Sequence, residues 1–369
     1  MLGRIKRPAS GALAYDYLCP GGPYDEQWDW DGFFMGVGLA ARDARDALYL
    51  RNWCLNFILN AAPDGHTPGV MTPAGRDPRL NHMKPFLAQG AYLASRFMGD
   101  FAWITPHYER LRTVVDYRER HLWNREHDLG LWFNAMESGA DNNPAFTAAD
   151  CCTVGADLNT FIQREYTAMA AIAAQLGRSA DAARYRDRAQ AVRTGIQSAL
   201  WSEQDNTYYN LDASTGAHMR TITYSNFVPL WAGLASPGRG ESQIRRYLVN
   251  PLKMWSPWGG RTLAADDPGY NNVNMIKPFS NWQGPVWPIA NYLYLHALLN
   301  YGFDQQALDL ARRVMQLCLD DILASGGMHE NYDAETGQPL AAPGFVSWNV
   351  LVCNMLDEAT TGRDPFKLL

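Results

Sequence analysis

Charged residues are scarce in this sequence, and long hydrophobic runs are absent. Asp, Glu, Lys and Arg make up 19% of the 369 residues, below the roughly 25% usual for soluble domains. The formal net charge is −6 and no basic run exceeds a few residues, so the electrostatic footprint of a nucleic-acid binder is missing. Apolar runs such as residues 33–41 fall far short of the roughly 20 residues that span a bilayer. We therefore expect neither a nucleic-acid partner nor a membrane partner.

The motifs of several enzyme classes are also missing. The eight histidines are scattered and no HExxH spacing occurs, so we predict no metal site and no cofactor. The sequence has neither a P-loop nor a G-x-S-x-G elbow. Residues 36–41 fit a loose dinucleotide-binding fingerprint, but they lie inside a predicted helix with no strand before it. We interpret these small residues as permitting close helix packing.

The six cysteines show no CxxC spacing. Cys54, Cys318 and Cys353 lie in apolar helical patterns, which is typical of free thiols in a reducing compartment. Cys151 and Cys152 are interpreted as part of a loop, with a redox pair as the alternative. The N-terminal basic residues have no apolar segment behind them, so we expect no signal peptide and a cytoplasmic location.

Apolar residues recur at helical spacing along most of the chain. Residues 285–301 are apolar nearly all round, residues 304–323 are amphipathic, and this order of a buried helix followed by an outer one repeats. Antiparallel pairs in two concentric layers form an (α/α)6 barrel, so we predict a single all-α domain over residues 1–369. Eleven helices are predicted, with room for a twelfth near the N-terminus, at 31–44, 47–60, 84–98, 105–123, 158–176, 179–201, 225–235, 240–250, 285–301, 304–323 and 345–358. A short hairpin arm is predicted at 207–211.

Long connections, and aromatic residues that lie beside polar residues rather than inside apolar runs, indicate a binding cavity. The connections after residues 61, 123, 250 and 325 are rich in Gly, Pro, Trp, Asn and Asp. Such loops are usually functional, and in this barrel they would gather at one active-site mouth. Residues 24–34 alternate aromatic rings with acids, which suits a sugar whose CH faces stack on the rings and whose hydroxyls donate to the carboxylates. Asp31 has a second interpretation as a helix N-cap.

Two acidic stretches far apart in sequence carry the candidate catalytic groups. In residues 136–144, Asp141 follows Gly139, and a plain turn residue is the alternative interpretation; Glu137 competes for the same role. In residues 329–332, Glu330 stands beside an Asn-Tyr pair, whereas Asp333 and Glu335 are interpreted as a surface turn. Two carboxylates on separate loops suit chemistry in which one protonates a leaving group and the other activates water.

A tryptophan-rich segment, residues 281–288, opens the most apolar predicted helix. Pro285 fits the first turn of that helix. Trp282 and Trp287 are interpreted as a ligand wall, with core packing at the helix start as the alternative.

The segments 136–144, 282–288 and 329–337 together resemble glycoside hydrolase family 63, and trehalases are similar. That family includes processing α-glucosidases and bacterial mannosylglycerate and glucosylglycerate hydrolases. The resemblance extends from Tyr24 to Trp348 and implies an (α/α)6 barrel of inverting glycosidases. The chain is similar to the compact bacterial members, because it lacks the N-terminal β-domain of larger ones.

The resemblance also implies residue roles. Asp141 matches the general acid and Glu330 the general base. The positions that match residues holding the terminal sugar, or forming its wall, are Tyr24, Trp28, Asp31, Gln89, Trp282, Gln283 and Trp287. Gln283 departs from many relatives, which carry Arg at this position, so the sugar specificity stays open.

We therefore predict inverting, exo-acting hydrolysis of a small α-glucoside, with release of terminal glucose or mannose. A sugar epimerase or isomerase that uses His pairs, and a non-catalytic sugar-binding protein, are the alternatives. The aglycone, the linkage and the oligomeric state stay open. The candidate partner for an acidic aglycone is Arg76, Lys84 or Arg261.

Overall fold

Helices form most of the secondary structure, as the apolar periodicity predicts. The computed structural model of the protein describes residues 2–146, 153–274 and 280–368. Each of the eleven predicted helical segments overlaps an α-helix. In chain order the α-helices are α1 (Asp29–Arg42), α2 (Ala47–Asn60), α3 (Leu87–Met98), α4 (Tyr108–Val115), α5 (Tyr117–His121), α6 (Ala135–Ser138), α7 (Ala156–Gln175), α8 (Ser179–Gly195), α9 (Val228–Trp231), α10 (Pro237–Gln243), α11 (Pro288–Asn300), α12 (Asp304–Ser325) and α13 (Val352–Thr361).

The strands are short and pair antiparallel. They are β1 (Lys6–Arg7), β2 (Tyr17–Leu18), β3 (Gln27–Trp28), β4 (Val70–Thr72), β5 (Gly75–Arg76), β6 (Trp123–Asn124), β7 (Leu129–Gly130), β8 (Thr153–Val154), β9 (Trp201–Ser202), β10 (Thr207–Tyr208) and β11 (Leu211–Asp212). Strands β3, β4 and β5 form one small sheet, and the others pair as β1 with β2, β6 with β7, β9 with β10, and β8 with β11. The hairpin arm predicted at 207–211 thus pairs with two different partners.

Several predicted elements differ in form from the structure. Residues 2–28 hold a 3-10 turn and β1–β3, so the twelfth helix considered near the N-terminus is wrong for this stretch. The helix predicted at 105–123 divides into α4 and α5 at Asp116, whose carboxylate accepts a hydrogen bond of 2.8 Å from the Tyr185 hydroxyl. The ends of two other predicted helices widen into π-helical turns, Ile196–Leu200 and Ile244–Leu248, for which the sequence offers no explanation.

The chain groups into two compact units that alternate along the sequence. The first unit consists of Met1–Gly130, Phe161–Gly195 and Pro365–Leu369, and the second of Leu131–Thr160 and Ile196–Asp364. Helix α7 contributes residues to both. No helix in the described part of the chain is long and apolar enough to cross a membrane.

In the first unit, glycines let three helices pack around one tryptophan. A Cβ on Gly32 of α1 would lie 2.3 Å from Trp53 Cδ1 in α2, and a Cβ on Gly90 of α3 would lie 2.7 Å from Trp53 Cζ3. A Cβ on Gly36 would lie 2.9 Å from Leu50 Cδ1. Gly36, the first of the small residues at 36–41, therefore serves close helix packing, as predicted, because a larger side chain would force the helices apart.

In the second unit, a buried helix lies beside an amphipathic one. Every residue of α11 from Pro288 to Leu298 is buried. Helix α12 buries one stripe that includes Ala307, Ala311 and Val314 and exposes charged residues on its other side, as an outer helix does. This pair reproduces the predicted order of an inner helix followed by an outer one.

Candidate active site

The stretch that carries Asp141 folds as a short helix followed by a turn, and hydrogen bonds of Glu137 stabilise this local structure. The Asn134 side chain caps α6 by accepting from the Glu137 N–H at 2.9 Å. The Glu137 carboxylate, which is buried, accepts in turn from the backbone N–H of Phe133. Gly139 then takes a left-handed conformation with φ of 80°, which glycine adopts without strain. These contacts give Glu137 a structural role and leave Asp141 as the better candidate acid.

Asn142, the residue after Asp141, joins this stretch to the tryptophan-rich segment 281–288. Its side-chain oxygen accepts from the Trp282 N–H at 2.6 Å, and its Nδ2 donates to Asn281 Oδ1 at 3.0 Å. Its backbone carbonyl accepts from Gln283 Nε2 at 2.9 Å. Gln283 thus uses its amide to hold the turn beside Asp141.

Trp282 and Trp287 stack on one another within this segment. Their ring centroids are 4.1 Å apart with an interplanar angle of 19°. The Trp287 Nε1–H donates to the Asn281 carbonyl at 2.8 Å. Both rings are almost fully buried, so they pack as part of the second unit, and their predicted contact with a sugar stays a prediction.

The stretch that carries Glu330 is joined to the same segment from the other side. Tyr332 and Val286 exchange two backbone hydrogen bonds, of 2.8 and 3.0 Å. The Glu330 N–H donates to the Ala341 carbonyl at 2.9 Å, and its side chain is buried with 7% exposure. The structure therefore fastens the two candidate catalytic stretches to one segment, residues 281–288.

A buried aspartate of α12 holds the Glu330 stretch in place. Asp321 Oδ2 accepts from the His329 N–H, from His329 Nδ1 and from the Tyr332 hydroxyl, each at 2.9 Å. Asp321 Oδ1 accepts from the Ser325 hydroxyl at 2.9 Å. Because Glu330 lies between His329 and Tyr332, this one carboxylate fixes the chain on both sides of the candidate base.

Glu335 lies in an exposed turn, as predicted, and it also forms a local network with Arg261. Glu335 Oε1 accepts from Arg261 at 2.7 Å and from the Tyr270 hydroxyl at 2.6 Å. Burial alone would raise the pKa of Glu335, but these two donors outweigh it and lower the pKa. The Arg261 guanidinium also donates to the carbonyls of Pro251 and Trp255. Its N–H groups are thus engaged in hydrogen bonds within the protein.

The first unit holds the predicted sugar-holding residues Tyr24, Trp28 and Asp31. The rings of Tyr24 and Trp28 meet edge to face with centroids 5.7 Å apart. Asp31 is buried in the first turn of α1, where the helix dipole favours a carboxylate. The residue at the N-cap position is Trp28, so the alternative interpretation of Asp31 as the cap is wrong.

Gln89, the fourth predicted sugar-holding residue, is occupied by contacts within the first unit. Its side chain has no exposed surface. Its Nε2 donates to the carbonyls of Pro85 and Phe161 at 2.7 and 3.2 Å, and its Oε1 accepts from Arg164 Nε at 3.0 Å. This geometry favours a structural role, and contact between Gln89 and a sugar stays a prediction.

Two buried carboxylates beside these positions have partners that lie far away in the sequence. In the first unit, Asp29 pairs with Lys84, and Oδ1 lies 3.1 Å from Nζ. Lys84 is one of the three candidate partners for an acidic aglycone, and its charge is already paired within the protein. In the second unit, Asp157 accepts from Trp132 and Tyr224. Asp29 is one of the acids in residues 24–34, but Lys84 lies 55 residues from it, and the partners of Asp157 lie 25 and 67 residues away, so no short motif shows these contacts.

The described cysteines are free thiols, and Cys151 and Cys152 lie outside the described residues. Cys19, Cys54 and Cys318 are buried and Cys353 is exposed. Burial raises the pKa of the Cys318 thiol to about 12, which leaves it unreactive at neutral pH. Within the ranges described, no three His, Cys, Asp or Glu side chains gather as metal ligands do.

The chain matches one protein family over most of its length. The family is described as the mannosylglycerate hydrolase MGH1-like glycoside hydrolase domain, and its profile matches residues 24–348. A mannosylglycerate hydrolase from Rubrobacter radiotolerans is 24% identical over 259 residues, which is 70% of this chain and 55% of that protein. The chain thus spans about half the length of the curated relatives it matches.

Solved structures show the same fold. The GH63 mannosylglycerate hydrolase from Thermus thermophilus in complex with glucose has a TM-score of 0.72 at 22% identity, over 95% of this chain and 97% of that chain. The structure of that enzyme in complex with Tris and D-glycerate has a TM-score of 0.74 at 20% identity, over 96% and 97% of the two chains. At these identities the likeness concerns the fold alone.

Proposed function

The chain belongs to the mannosylglycerate hydrolase MGH1-like glycoside hydrolase domain family, and from this we propose that it is an inverting, exo-acting α-glycoside hydrolase. It releases terminal glucose or mannose from a small carbohydrate substrate. The observation that carries this proposal is the fastening of the Asp141 and Glu330 stretches to one segment, residues 281–288. That arrangement supplies two fixed carboxylates, as hydrolysis of a glycosidic bond requires.

Asp141 acts as the general acid and Glu330 as the general base. Asp141 protonates the oxygen of the leaving group, while Glu330 takes a proton from a water on the opposite face of the sugar ring. An inverting mechanism needs about 6.5–9.5 Å between the two carboxyl groups, which leaves room for that water. Removal of bulk water by the surrounding aromatic rings favours the neutral form of an acid.

The remaining predicted residues keep their roles within this proposal. Trp282, Gln283 and Trp287 form the wall of the sugar site, with Gln283 also bracing the turn beside Asp141. The residues that hold the terminal sugar are Tyr24, Trp28, Asp31 and Gln89. Residues 1–369 form a single (α/α)6-barrel domain, and its location is the cytoplasm.

An acidic aglycone such as glycerate is the substrate class that the relatives' names suggest. Of the three candidate cations, Lys84 is paired with Asp29 and Arg261 with Glu335, whereas Arg76 is exposed on β5. We expect Arg76→Ala to raise KM for a glycosylglycerate and to leave KM for a neutral α-glycoside unchanged. Arg79→Ala, which alters an exposed arginine paired with Asp77, is the matched control. Equal effects on both substrates would remove Arg76 from aglycone recognition.

A substrate panel with two catalytic variants tests the proposed activity. Mannosylglycerate, glucosylglycerate, trehalose and simple α-glucosides and α-mannosides are incubated with the protein, and the released monosaccharide is identified. We expect hydrolysis of at least one, and a loss of about 10²–10⁴-fold in kcat for Asp141→Asn and Glu330→Gln. An epimerised sugar would favour the isomerase alternative, and tight binding without turnover the sugar-binding alternative.

A further inference from the structure

Asp157 is a fully buried carboxylate for which the mechanism above has no use. It lies in the first turn of α7 and has no exposed surface. Its Oδ1 accepts from the Trp132 Nε1–H at 2.9 Å and from the Leu158 N–H at 2.7 Å, and its Oδ2 accepts from the Tyr224 hydroxyl at 2.9 Å. Desolvation raises the pKa of this carboxyl, although its three donors counteract the rise.

The backbone is shaped to let Asp157 reach Trp132. A Cβ on Gly155 would lie 2.6 Å from both Asp157 Oδ1 and Trp132 Nε1, a distance that real Cβ atoms do not adopt. Trp132 is also anchored through its backbone N–H, which donates to the Thr153 carbonyl at 3.0 Å. Trp132 begins the stretch that leads into α6 and Asp141, so Asp157 fixes the start of that stretch.

Tyr224, the second partner of Asp157, lies beside the other end of the same stretch. Its ring packs on Trp282 with centroids 5.0 Å apart, and the Trp282 N–H donates to the side chain of Asn142. The residue after Tyr224 contributes as well, because Ser225 Oγ accepts from Asn143 Nδ2 at 3.2 Å. Tyr224 is therefore linked, through Trp282 and through its neighbour Ser225, to the two residues that follow Asp141.

The electrostatics agree with this placement. Burial raises the pKa of Tyr224 well above its ordinary value, and the nearby negative charges of Asp157 and Asp141 raise it further. The Tyr224 hydroxyl directs its own proton at Asp157. A buried aspartate that only stabilises the fold would also be satisfied by donors, so the two roles need an experiment that separates them.

We propose that Asp157 is a positioning residue that orients the proton donor Asp141, through Trp132 at the start of its stretch and Tyr224 beside it. This inference rests on the proposed function, in which Asp141 is the general acid. Neither Asp157 nor Tyr224 donates a proton to the substrate. Their effect is to hold the Asp141 carboxyl where it meets the leaving-group oxygen, and a misplacement of about 1 Å can cost about 10²-fold in rate.

Substrates that differ in their need for an acid provide the test. The O-glycoside, mannosylglycerate or glucosylglycerate according to the sugar accepted, needs a proton on its leaving oxygen. The fluoride of the same sugar, α-D-mannosyl or α-D-glucosyl fluoride, releases fluoride ion with little help from an acid, whereas Glu330 is needed for both. The variants are Asp157→Asn, Tyr224→Phe and, as the reference for loss of the acid, Asp141→Asn.

We expect Asp157→Asn and Tyr224→Phe to lower kcat for the O-glycoside by about 10–100-fold with little change in KM, and to retain most of the fluoride hydrolysis. Tyr224→Phe keeps the ring on Trp282 and removes only the hydroxyl, so it decides the question if Asp157→Asn does not fold. Tyr185→Phe removes a like hydroxyl from Asp116 in the first unit and is expected to leave both rates unchanged.

The outcomes separate this inference from the proposed function. Equal losses on both substrates would mean that Asp157 only stabilises the fold, and unchanged kcat for the O-glycoside in both variants would also overturn the positioning role. If Asp141→Asn itself keeps its O-glycoside activity, the assignment of the acid is wrong and this inference falls with it. If Asp141→Asn loses O-glycoside hydrolysis selectively and Tyr224→Phe does not, the positioning role is refuted while the proposed function stands.

Discussion

Replacement of Asp321 by Ala tests the support beneath the candidate base. The change removes the acceptor shared by the His329 N–H, the His329 ring and the Tyr332 hydroxyl. Tyr332 is fully buried and His329 largely so, so at least two donors lose their partner inside the protein. A buried donor without an acceptor costs about 1–3 kcal/mol, which predicts a loss of about 2–6 kcal/mol in the free energy of unfolding.

The same substitution is expected to lower kcat, because the residues on both sides of Glu330 lose the contacts that hold the candidate base in position. We expect kcat for the accepted substrate to fall by about 10²-fold, the loss that follows a misplacement of about 1 Å. Asp321→Asn keeps one accepting oxygen and is expected to lose less of both quantities than Asp321→Ala.

Urea unfolding followed by tryptophan fluorescence measures the stability, and steady-state hydrolysis measures kcat. Asp320→Ala is the matched control on the same helix, because Asp320 is exposed and accepts from the neighbouring Gln316 side chain. Its loss is expected to stay within about 0.5 kcal/mol. If Asp321→Ala behaves like Asp320→Ala in both measurements, the reasoning about this support is wrong.

Two further changes test the physics of the first unit. Glu165 is buried with its pKa raised to about 7; the folded state therefore binds its proton more tightly than the unfolded state, and the stability of the wild type falls as pH rises from about 4.5 through 7. Glu165→Gln removes the ionisable group, but its amide NH2 faces one of the two backbone N–H groups, of Ala88 and Gln89, that the carboxylate accepts from. Urea unfolding is therefore expected to show a cost of the substitution that is larger at pH 4.5 than at pH 8. An equal cost at both pH values would contradict this. Gly32→Ala places a methyl against Trp53 and is expected to lower the free energy of unfolding by about 1–3 kcal/mol. Gly238→Ala is the control, because a Cβ on Gly238 meets nothing within 4 Å, and it is expected to be neutral or stabilising. Similar values for the two alanine variants would contradict the packing argument.

Helix positions follow from the sequence because their signal is local. Helix α2 spans Ala47–Asn60 as predicted, and α12 begins at Asp304 as predicted, because apolar spacing is legible within a single turn or two. The ends of helices are less predictable. Helix α4 ends just before Asp116, whose carboxylate accepts from Tyr185, 69 residues further along the chain.

The candidate site could be predicted only in part, because a short stretch of sequence shows local motifs and not distant contacts. Asp141 and Glu330 stand in motifs that a short window contains, whereas Asp157 and Asp321 draw their meaning from partners elsewhere in the fold. Asp157 in sequence is an acid at a helix start, which the helix dipole alone would explain. Glu335 is a turn residue, as predicted, but a short window does not show its contact with Arg261, which lies 74 residues before it.

The anomer released from an α-glycoside tests the central claim most directly. With Asp141 as acid and Glu330 as base on opposite faces of the sugar, water enters from the face opposite the leaving group. Proton NMR of the first product formed, recorded before mutarotation, is therefore expected to show the β-anomer. Initial release of the α-anomer would mean that configuration is retained, and it would contradict the roles assigned to both carboxylates.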